Sequence, residues 1–139
     1  MNKNKGFSLV ELIVVVAIMA VLVGILAPAY LSYVEKTRRG TDEDAAEEVR
    51  HAVEIAVADI DVYEECRNGA SFSLGDGDPI ASTAGASYTQ LGTALADAFA
   101  EKEFDLKSKK YGGSTYTVSV TASASGGTDA ALTVTGSWQ

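Results

Sequence analysis

The chain has 139 residues, enough for one small domain, and its net charge of −8 argues against the basic surface that nucleic-acid binding requires. Cys66 is the only cysteine, so no disulfide bond can form within the chain, and a free thiol of this kind is usually buried and inert. The fold must therefore be stabilised by packing, and nucleic acid is not an expected partner.

The first element is an apolar run that can cross a membrane. No charged side chain lies between Leu12 and Val34, and a helix of that length, rising about 1.5 Å per residue, covers a hydrocarbon core of about 30 Å. Lys3 and Lys5 precede the run and further cations follow it, so the positive charges do not determine its orientation. Glu11 lies near the start of this segment, where an ionisable group is costly and usually has a partner.

The order of residues around Glu11 is specific. A short basic leader is followed by Lys5-Gly6-Phe7-Ser8-Leu9-Val10-Glu11 and then by the apolar run. A secretory signal peptide would instead have its cleavage site after the apolar region, which the mature protein would lose. Residues 1–39 or so resemble the class III leader and first helix of type IV pilins and their pseudopilin relatives.

The resemblance implies that a prepilin peptidase cleaves between Gly6 and Phe7 on the cytoplasmic side and N-methylates Phe7. Cleavage would create an α-amine on Phe7, and this amine would favour the ionised form of Glu11. The pair could form within one helix turn or between neighbouring subunits during assembly. If the chain is an ordinary signal anchor, Glu11 only lies at headgroup depth.

The turn between Gly24 and Pro28 is the weakest part of this helix. Pro28 lacks the N–H that would bond to the carbonyl of Gly24, so the missing hydrogen bond and glycine, a poor helix former, lie in the same helix turn. A simple kink is one interpretation, because isolated proline and glycine are common in membrane helices. The resemblance implies the other, since filament pilins of this family have a proline at the corresponding position, in a stretch that can unwind in the assembled fibre.

Helical spacing continues beyond the apolar run. We expect one long helix with a soft point at Gly40, rather than a new helix capped at Thr41, and a stop at Asn68-Gly69. One apolar stripe should pack on the domain's own sheet; it consists of Ala45, Val49, Ala52, Val53, Ala56, Ile60 and Tyr63. A narrower strip on the other side either faces neighbouring subunits or is a ragged part of a solvent face; it consists of Ile55, Ala58 and Val62.

The C-terminal half has the patterns of loops and strands. Residues 68–90 are rich in Gly, Ala, Ser and Asp and are predicted to form a long loop, which a short helix follows. Tyr116–Ala122 and Leu132–Trp138 alternate polar and apolar residues, which predicts an antiparallel pair joined by a turn at Ser125–Asp129. Phe104–Lys107 is expected to be a third strand, because a two-stranded sheet alone is marginal.

The expected fold is α+β. The resemblance implies the type IV pilin fold, in which a long N-terminal membrane-spanning helix packs on a small C-terminal antiparallel β-sheet. Residues 1–6 would be the cleaved leader, 7–39 the transmembrane and polymerisation half of the helix, and 40–139 the globular domain. Within that domain the expected parts are the amphipathic half-helix at 40–67, the loop and short helix at 68–102, and the sheet at 103–139.

No arrangement of side chains in the sequence indicates an enzyme or a cofactor. His51 is the only histidine, and no serine or cysteine nucleophile lies at a recognisable spacing. Asp76 and Asp78 could supply oxygen ligands to Ca²⁺, which takes about six to eight of them, but two acids are more typical of an acidic turn. The basic cluster at Lys107–Tyr111 is typical of a solvated hairpin, although a DNA-uptake pilin would contact DNA through such a cluster.

The main hypothesis is a structural subunit of a type IV pilus. It would be held in the cytoplasmic membrane with its C-terminal domain outside, and then polymerise through its N-terminal helix into an extracellular filament. The sequence does not distinguish between motility, cell adhesion, secretion and DNA uptake as the use of this filament. Its partners would be further copies of itself in a helical homopolymer, the prepilin peptidase and the pilus assembly platform. The absence of the paired cysteines of many Gram-negative members suggests a Gram-positive source.

Two alternatives have different consequences. A pseudopilin of a type II secretion or competence (DNA-uptake) system carries the same leader and would assemble in smaller amounts. An uncleaved, signal-anchored extracellular binding module belongs to another class, and it would keep its N-terminus intact. The state of Phe7 therefore separates the pilin-like interpretations from the anchored module.

Overall fold

The computed structural model describes residues 7–123 and 131–139. The chain divides between Thr37 and Arg38 into two compact units. The leader predicted at residues 1–6, including Gly6, and the turn predicted at Ser125–Asp129 lie outside the described residues.

The first unit is helical from Leu9 onward. Its helix is the beginning of α1 (Leu9–Ala56), which contains Pro28 and runs without interruption through Gly40. Every large apolar side chain from Phe7 to Tyr33 is exposed. Among the described residues, α1 is the one helix that is long and apolar enough to cross a membrane, judged by length and composition.

The second unit combines helices with an antiparallel sheet. After α1 come, in chain order, α2 (Ile60–Cys66), β1 (Ala70–Leu74), β2 (Asp78–Pro79), α3 (Ile80–Gly85), α4 (Thr89–Phe99), β3 (Glu103–Phe104), β4 (Tyr116–Ala122) and β5 (Leu132–Trp138). The main sheet has the order β1-β4-β5 with both pairs antiparallel, and β2 and β3 form a separate short pair. The expected α+β class, with a long N-terminal helix packed on a C-terminal antiparallel sheet, is confirmed.

The pairing of β4 with β5 has the predicted strand bounds, from Tyr116 opposite Trp138 to Ala122 opposite Leu132. The prediction of the third strand is wrong. The strand beside β4 is β1, which lies in the segment predicted as a loop, whereas Phe104 belongs to the short β3. Apolar residues alternate with serine in β1, and this period of two was hidden by a small, polar composition that is typical of loops.

The prediction of one helix up to residue 67 is also wrong. α1 ends at Ala56, and the Asp59 carboxylate then caps α2 by accepting a hydrogen bond of 2.9 Å from the backbone N–H of Asp61. Because the chain turns here, the apolar face after the break is shifted. Val62 is buried in the core, whereas Ile60, predicted to be buried, is 68% exposed.

The core of the second unit lies between its helices and the inward face of the sheet. Its largest fully buried apolar side chains are Val49 and Val53 of α1, Leu74 of β1, Ile80 of α3, Leu91 and Leu95 of α4, Phe104 of β3, and Val118 and Val120 of β4. Burying each such side chain contributes about 1.5–3 kcal/mol to folding. Cys66 is also fully buried, and burial raises the pKa of its thiol, with the nearby charge of Glu65 adding to the effect.

An aromatic cluster closes one end of this core. The rings of Tyr111 and Trp138 stack with centroids 4.1 Å apart, and Tyr116 lies 5.0 Å from Trp138. Gly136 leaves the space for Tyr116, because a Cβ at Gly136 would lie 1.7 Å from the Tyr116 hydroxyl oxygen. The cluster fixes the segment between β3 and β4 against the last strand.

Candidate functional site

The candidate site is the start of α1, where Phe7 and Glu11 lie. Because α1 begins at Leu9, Ser8 occupies the N-cap position and Glu11 the third helical position. The Glu11 Oε2 atom accepts a hydrogen bond of 3.0 Å from the backbone N–H of Ser8. An acid at the third position that satisfies the N-cap N–H is one half of a capping box. This local role was missed at the level of sequence, although the spacing of Ser8 and Glu11 is the capping-box signature.

The contact with Ser8 directs the Glu11 carboxylate toward the N-terminal end of α1. A negative charge is favoured there because the helix dipole is positive at that end. Phe7 precedes Ser8 and its side chain is 89% exposed. In the uncleaved chain the Phe7 nitrogen is an uncharged peptide nitrogen, so the predicted ion pair with Glu11 requires cleavage.

Gly24 and Pro28 both lie inside α1. A Cβ at Gly24 would meet no atom within 4 Å, so nothing within this unit requires a glycine there. The low helix propensity of glycine and proline is therefore the only support for unwinding or kinking at this turn, and this role stays a prediction.

Asp76 and Asp78 hold the turn between β1 and β2. Asp78 Oδ2 accepts a hydrogen bond of 2.6 Å from the N–H of Gly75, and Asp76 Oδ1 accepts one of 2.9 Å from the N–H of Leu106. Within residues 7–123 and 131–139, no group of three or more His, Cys, Asp or Glu side chains could hold a metal ion. Each carboxylate thus binds a backbone N–H group, and calcium binding at these two residues stays a prediction.

Asp42 is a structural anchor that sequence reasoning missed. It is fully buried, and its two oxygens accept hydrogen bonds of 2.8 Å and 2.9 Å from the backbone N–H groups of Lys107 and Ser108. Next to it, Glu43 accepts a hydrogen bond of 2.7 Å from the hydroxyl of Tyr111. Charge-assisted bonds of this kind are stronger than neutral ones. Asp42 lies in a run of acids, and only its long-range contact distinguishes it from the exposed ones.

These bonds also fix the basic cluster at Lys107–Tyr111. Lys107 lies 3.7 Å from the carboxylate of Asp105, and the Lys110 ammonium donates to the Tyr111 hydroxyl at 2.7 Å while lying over that ring. Both lysines are thus engaged within their own loop.

The solvent face of α1 in the second unit carries ion pairs. Arg50 pairs with Glu47 at 2.8 Å and also with Glu54, and His51 lies 3.3 Å from the Glu54 carboxylate. The hydrogen bond from His51, followed by the charge of Arg50, lowers the pKa of Glu54. Exposed pairs of this kind contribute little to stability but keep the face polar.

Exposed apolar side chains interrupt this polar surface. Ile55 and Ile60 are 64% and 68% exposed, and within the described part of the second unit they are the only large apolar side chains classed as exposed. Ala58 between them is exposed as well. Of the outward strip predicted from the sequence, Ile55 and Ala58 are therefore at the surface, whereas Val62 belongs to the core.

Comparison with known proteins finds a family motif at the N-terminal end of the chain, where Glu11 caps α1. The prokaryotic N-terminal methylation motif matches residues 1–27. The chain is 37% identical over 94 residues to the type IV major fimbrial protein FimA of Dichelobacter nodosus, covering 67% of this chain and 58% of that protein. It is 47% identical over 38 residues to the type IV major alpha-pilin of Moraxella bovis, covering 27% of this chain and 24% of the relative.

A third relative is the prepilin peptidase-dependent protein D of Escherichia coli strain K12, which is 34% identical over 71 residues, or 51% of this chain and 49% of the relative. The chain thus spans less than two thirds of the length of each of these relatives. No solved structure matches the chain. The relatives come from Gram-negative bacteria, so they give no support to the Gram-positive source suggested by the missing cysteines.

Proposed function

We propose that this chain, which carries the prokaryotic N-terminal methylation motif and is similar to type IV fimbrial proteins, is a structural, non-enzymatic subunit of a type IV pilus. The observation that carries the proposal is the juxtaposition of this motif with a helix whose large apolar side chains are all exposed from Phe7 to Tyr33. Such a helix needs a bilayer before assembly and the helices of other subunits afterwards.

In this proposal, maturation prepares the N-terminus for assembly. A prepilin peptidase cleaves between Gly6 and Phe7 and the Phe7 amine is methylated, which leaves its positive charge in place. The leader at residues 1–6 is removed while α1 stays in the cytoplasmic membrane, with residues 40–139 outside. The membrane-anchored subunit is then the substrate of the pilus assembly platform.

Glu11 then acts in polymerisation. An unpaired charge at this depth is costly, and the new amine of Phe7 is a group of opposite charge that can pair with Glu11. If the pair forms between subunits, it stabilises only a neighbour in the correct register. The capping contact with Ser8 supports this role, because it holds the carboxylate toward the end of the helix at which the amine is created.

The turn from Gly24 to Pro28 provides a place where α1 can lose helical hydrogen bonds after it leaves the membrane. Proline lowers helix stability by about 3 kcal/mol relative to alanine, and glycine by about 1 kcal/mol. We assign the opening of this turn to the assembled filament.

Purified surface filaments test the function. Cells that express the chain should yield filaments in which it is the main component, and deletion of the coding sequence should abolish them. Recovery of the chain as a trace component would instead support a pseudopilin role. Its absence from any filament, together with an intact N-terminus, would support an anchored binding module.

A further inference from the structure

The outer edge of β5 has backbone groups that no other strand uses. The main sheet has the order β1-β4-β5, and among the described residues no strand pairs with the far side of β5. Thr115 and Gln139 exchange both of their backbone hydrogen bonds, at 3.0 Å and 2.9 Å, next to the end of the β4–β5 register. Hydrogen-bonded pairs alternate with non-hydrogen-bonded pairs along an antiparallel ladder. The residues of β5 whose N–H and C=O groups are directed to the free edge are therefore Leu132, Val134, Gly136 and Trp138.

This edge lacks the features that usually protect a free strand. Natural edge strands carry charged side chains, proline or a bulge, and these prevent pairing with another chain. β5 has the sequence LTVTGSW, without charge or proline, and its register with β4 is continuous. The opposite edge of the sheet is partly occupied, because the Ser71 N–H on β1 donates a hydrogen bond of 3.1 Å to the Tyr88 hydroxyl. Of the two edges, β5 is therefore the one that can accept a further strand.

The distribution of charge makes this edge a neutral surface on an acidic molecule. The chain contains 11 Lys and Arg and 19 Asp and Glu residues, yet β1, β4 and β5 contain none of them. A net charge of −8 makes two copies repel each other where their charged surfaces meet. Two β5 strands can meet without removing any ionised side chain of either strand from water. The charge pattern thus directs an approaching second copy to this edge.

The sequence of β5 is also complementary to itself in one antiparallel register. When a two-fold axis passes between the Thr135 residues of two copies, all 7 residues of each β5 have an opposite residue. Leu132 then lies opposite Trp138, and Val134 lies opposite Gly136, so each edge-directed backbone group meets another one. Leu132 and Trp138 are both half-buried, so each has apolar surface that the second copy would cover.

The outer face of the sheet matches in this register too. Thr133 lies opposite Ser137 and Thr135 lies opposite Thr135, so hydroxyl groups face hydroxyl groups. Such a pair already exists within the sheet, where the side-chain oxygens of Ser73 and Thr117 are 2.7 Å apart. Cross-strand pairs of hydroxyl side chains stabilise antiparallel sheets.

We propose that β5 of one copy pairs with β5 of a second copy in this register, so that two three-stranded sheets become one continuous antiparallel sheet. The contact is isologous, because both copies use the same edge, and it joins copies in pairs. It goes beyond the proposed function, since it uses the second unit rather than the N-terminal part of α1.

Cysteine cross-linking of the full chain in neutral detergent tests the register. In a Cys66→Ser background, Thr135→Cys places two cysteines in a non-hydrogen-bonded pair, where the Cα atoms lie about 4.5 Å apart, a separation that a disulfide can bridge. Mild oxidation should give a disulfide-linked dimer. Absence of this dimer would overturn the proposal, as would a Thr135→Cys chain that cross-links in cells only to a different protein.

Thr133→Cys is the matched control, because Thr133 is exposed on the same strand but lies opposite Ser137 in this register. Two cysteines at position 133 would be about 14 Å apart, so this variant should give at least about tenfold less dimer than Thr135→Cys. Adding Ser137→Cys to Thr133→Cys should restore the dimer. Equal yields from the two single variants would indicate random collision and would overturn the proposal.

A charge exchange tests the pairing without a disulfide. Thr135→Lys and Thr135→Glu each place like charges across the two-fold axis and should lower the dimer fraction in sedimentation of the full chain at least about tenfold. An equimolar mixture of the two variants pairs Lys with Glu and should recover the dimer. Ser71→Lys, which adds a cation at an exposed position of β1, is the control and should leave the dimer fraction unchanged. An unchanged dimer fraction in Thr135→Lys, or no recovery in the mixture, would refute the pairing.

These results are distinguishable from those that test the proposed function. A Thr135→Cys dimer formed by a chain that never enters filaments would support the β5 pairing and count against the pilus function. Filaments built from a chain that gives no such dimer would refute the pairing and leave the proposed function in place.

Discussion

At the scale of single residues, Asp42 anchors α1 to a loop more than 60 residues away through two hydrogen bonds from backbone N–H groups. Asp42→Ala would leave the backbone N–H groups of Lys107 and Ser108 without their acceptor in a buried place, at a cost of about 2–5 kcal/mol in the free energy of unfolding. Denaturant unfolding of the full chain in detergent, followed by the fluorescence of Trp138, measures this cost.

The exposed acid Asp44 supplies the matched control for Asp42. Asp44→Ala should change the free energy of unfolding by no more than about 0.5 kcal/mol, since surface substitutions of this kind have small effects. Equal costs for the two alanine variants would show that Asp42 is not an anchor. Asp42→Asn, which keeps one acceptor, should fall between them.

Because of Tyr116, we expect the free energy of unfolding to fall at alkaline pH. Burial raises the pKa of its phenol, the charge of Glu47 adds to the shift, and Arg50 opposes it. The folded state therefore favours the neutral phenol, so this contribution is complete below the unfolded pKa of about 10 and is lost as pH rises through the higher folded pKa. Wild-type protein should lose more unfolding free energy between about pH 9 and 11 than Tyr116→Phe. Parallel losses in the two proteins would contradict this.

At the scale of elements, the packing of α3 on α4 depends on one glycine. A Cβ at Gly92 would lie 2.3 Å from the Cα of Gly85 and 2.7 Å from its nitrogen. Gly92→Ala must separate the helices, so we expect a net destabilisation of about 1–3 kcal/mol despite the better helix propensity of alanine. Gly85→Ala, whose Cβ would be 3.4 Å from its nearest neighbour, is the control and should be close to neutral in thermal unfolding. A reversed order of the two variants would argue against this helix contact.

The elements also show what could be predicted from sequence. The apolar run could be predicted from its length and composition, and α4 and the strands β4 and β5 could be predicted from the spacing of their apolar residues. β1 could not be predicted, because the serines between its apolar residues gave it the composition of a loop. The end of α1 was missed because Ala56 to Asp59 keeps helical spacing, and only the capping by Asp59 shows where a second helix begins.

In the candidate site, too, some residues could be predicted from the sequence and others could not. Phe7 and Glu11 could be proposed from the sequence because the leader motif is a local pattern with fixed spacing, and their roles stay predictions. The capping contact of Glu11 with Ser8 is equally local and was available from the sequence. The contacts of Asp42 could not be predicted, because its partners lie more than 60 residues away and bind through backbone atoms, which carry no sequence signal.

At the scale of the whole molecule, we propose that Glu11 acts both at the start of α1 and in assembly. Glu11→Gln keeps the capping contact with Ser8, since glutamine serves at that position, but cannot form an ion pair with the Phe7 amine. We expect both Glu11→Gln and Glu11→Ala to insert and to be cleaved, and both to lower filament yield at least about tenfold through the lost pair. Immunoblots of membrane and sheared-filament fractions separate the steps. Normal yield from Glu11→Gln would mean that capping, and not charge, is what assembly requires.

The central claim is that the chain is matured at Gly6-Phe7 and polymerised through the helix that cleavage leaves in place. The intact mass and N-terminal sequence of the chain recovered from sheared surface filaments test this claim most directly. The account predicts a protein that begins with N-methylated Phe7 and lacks residues 1–6. Recovery of the chain only from membranes, with Met1 or Asn2 at its N-terminus, would contradict it.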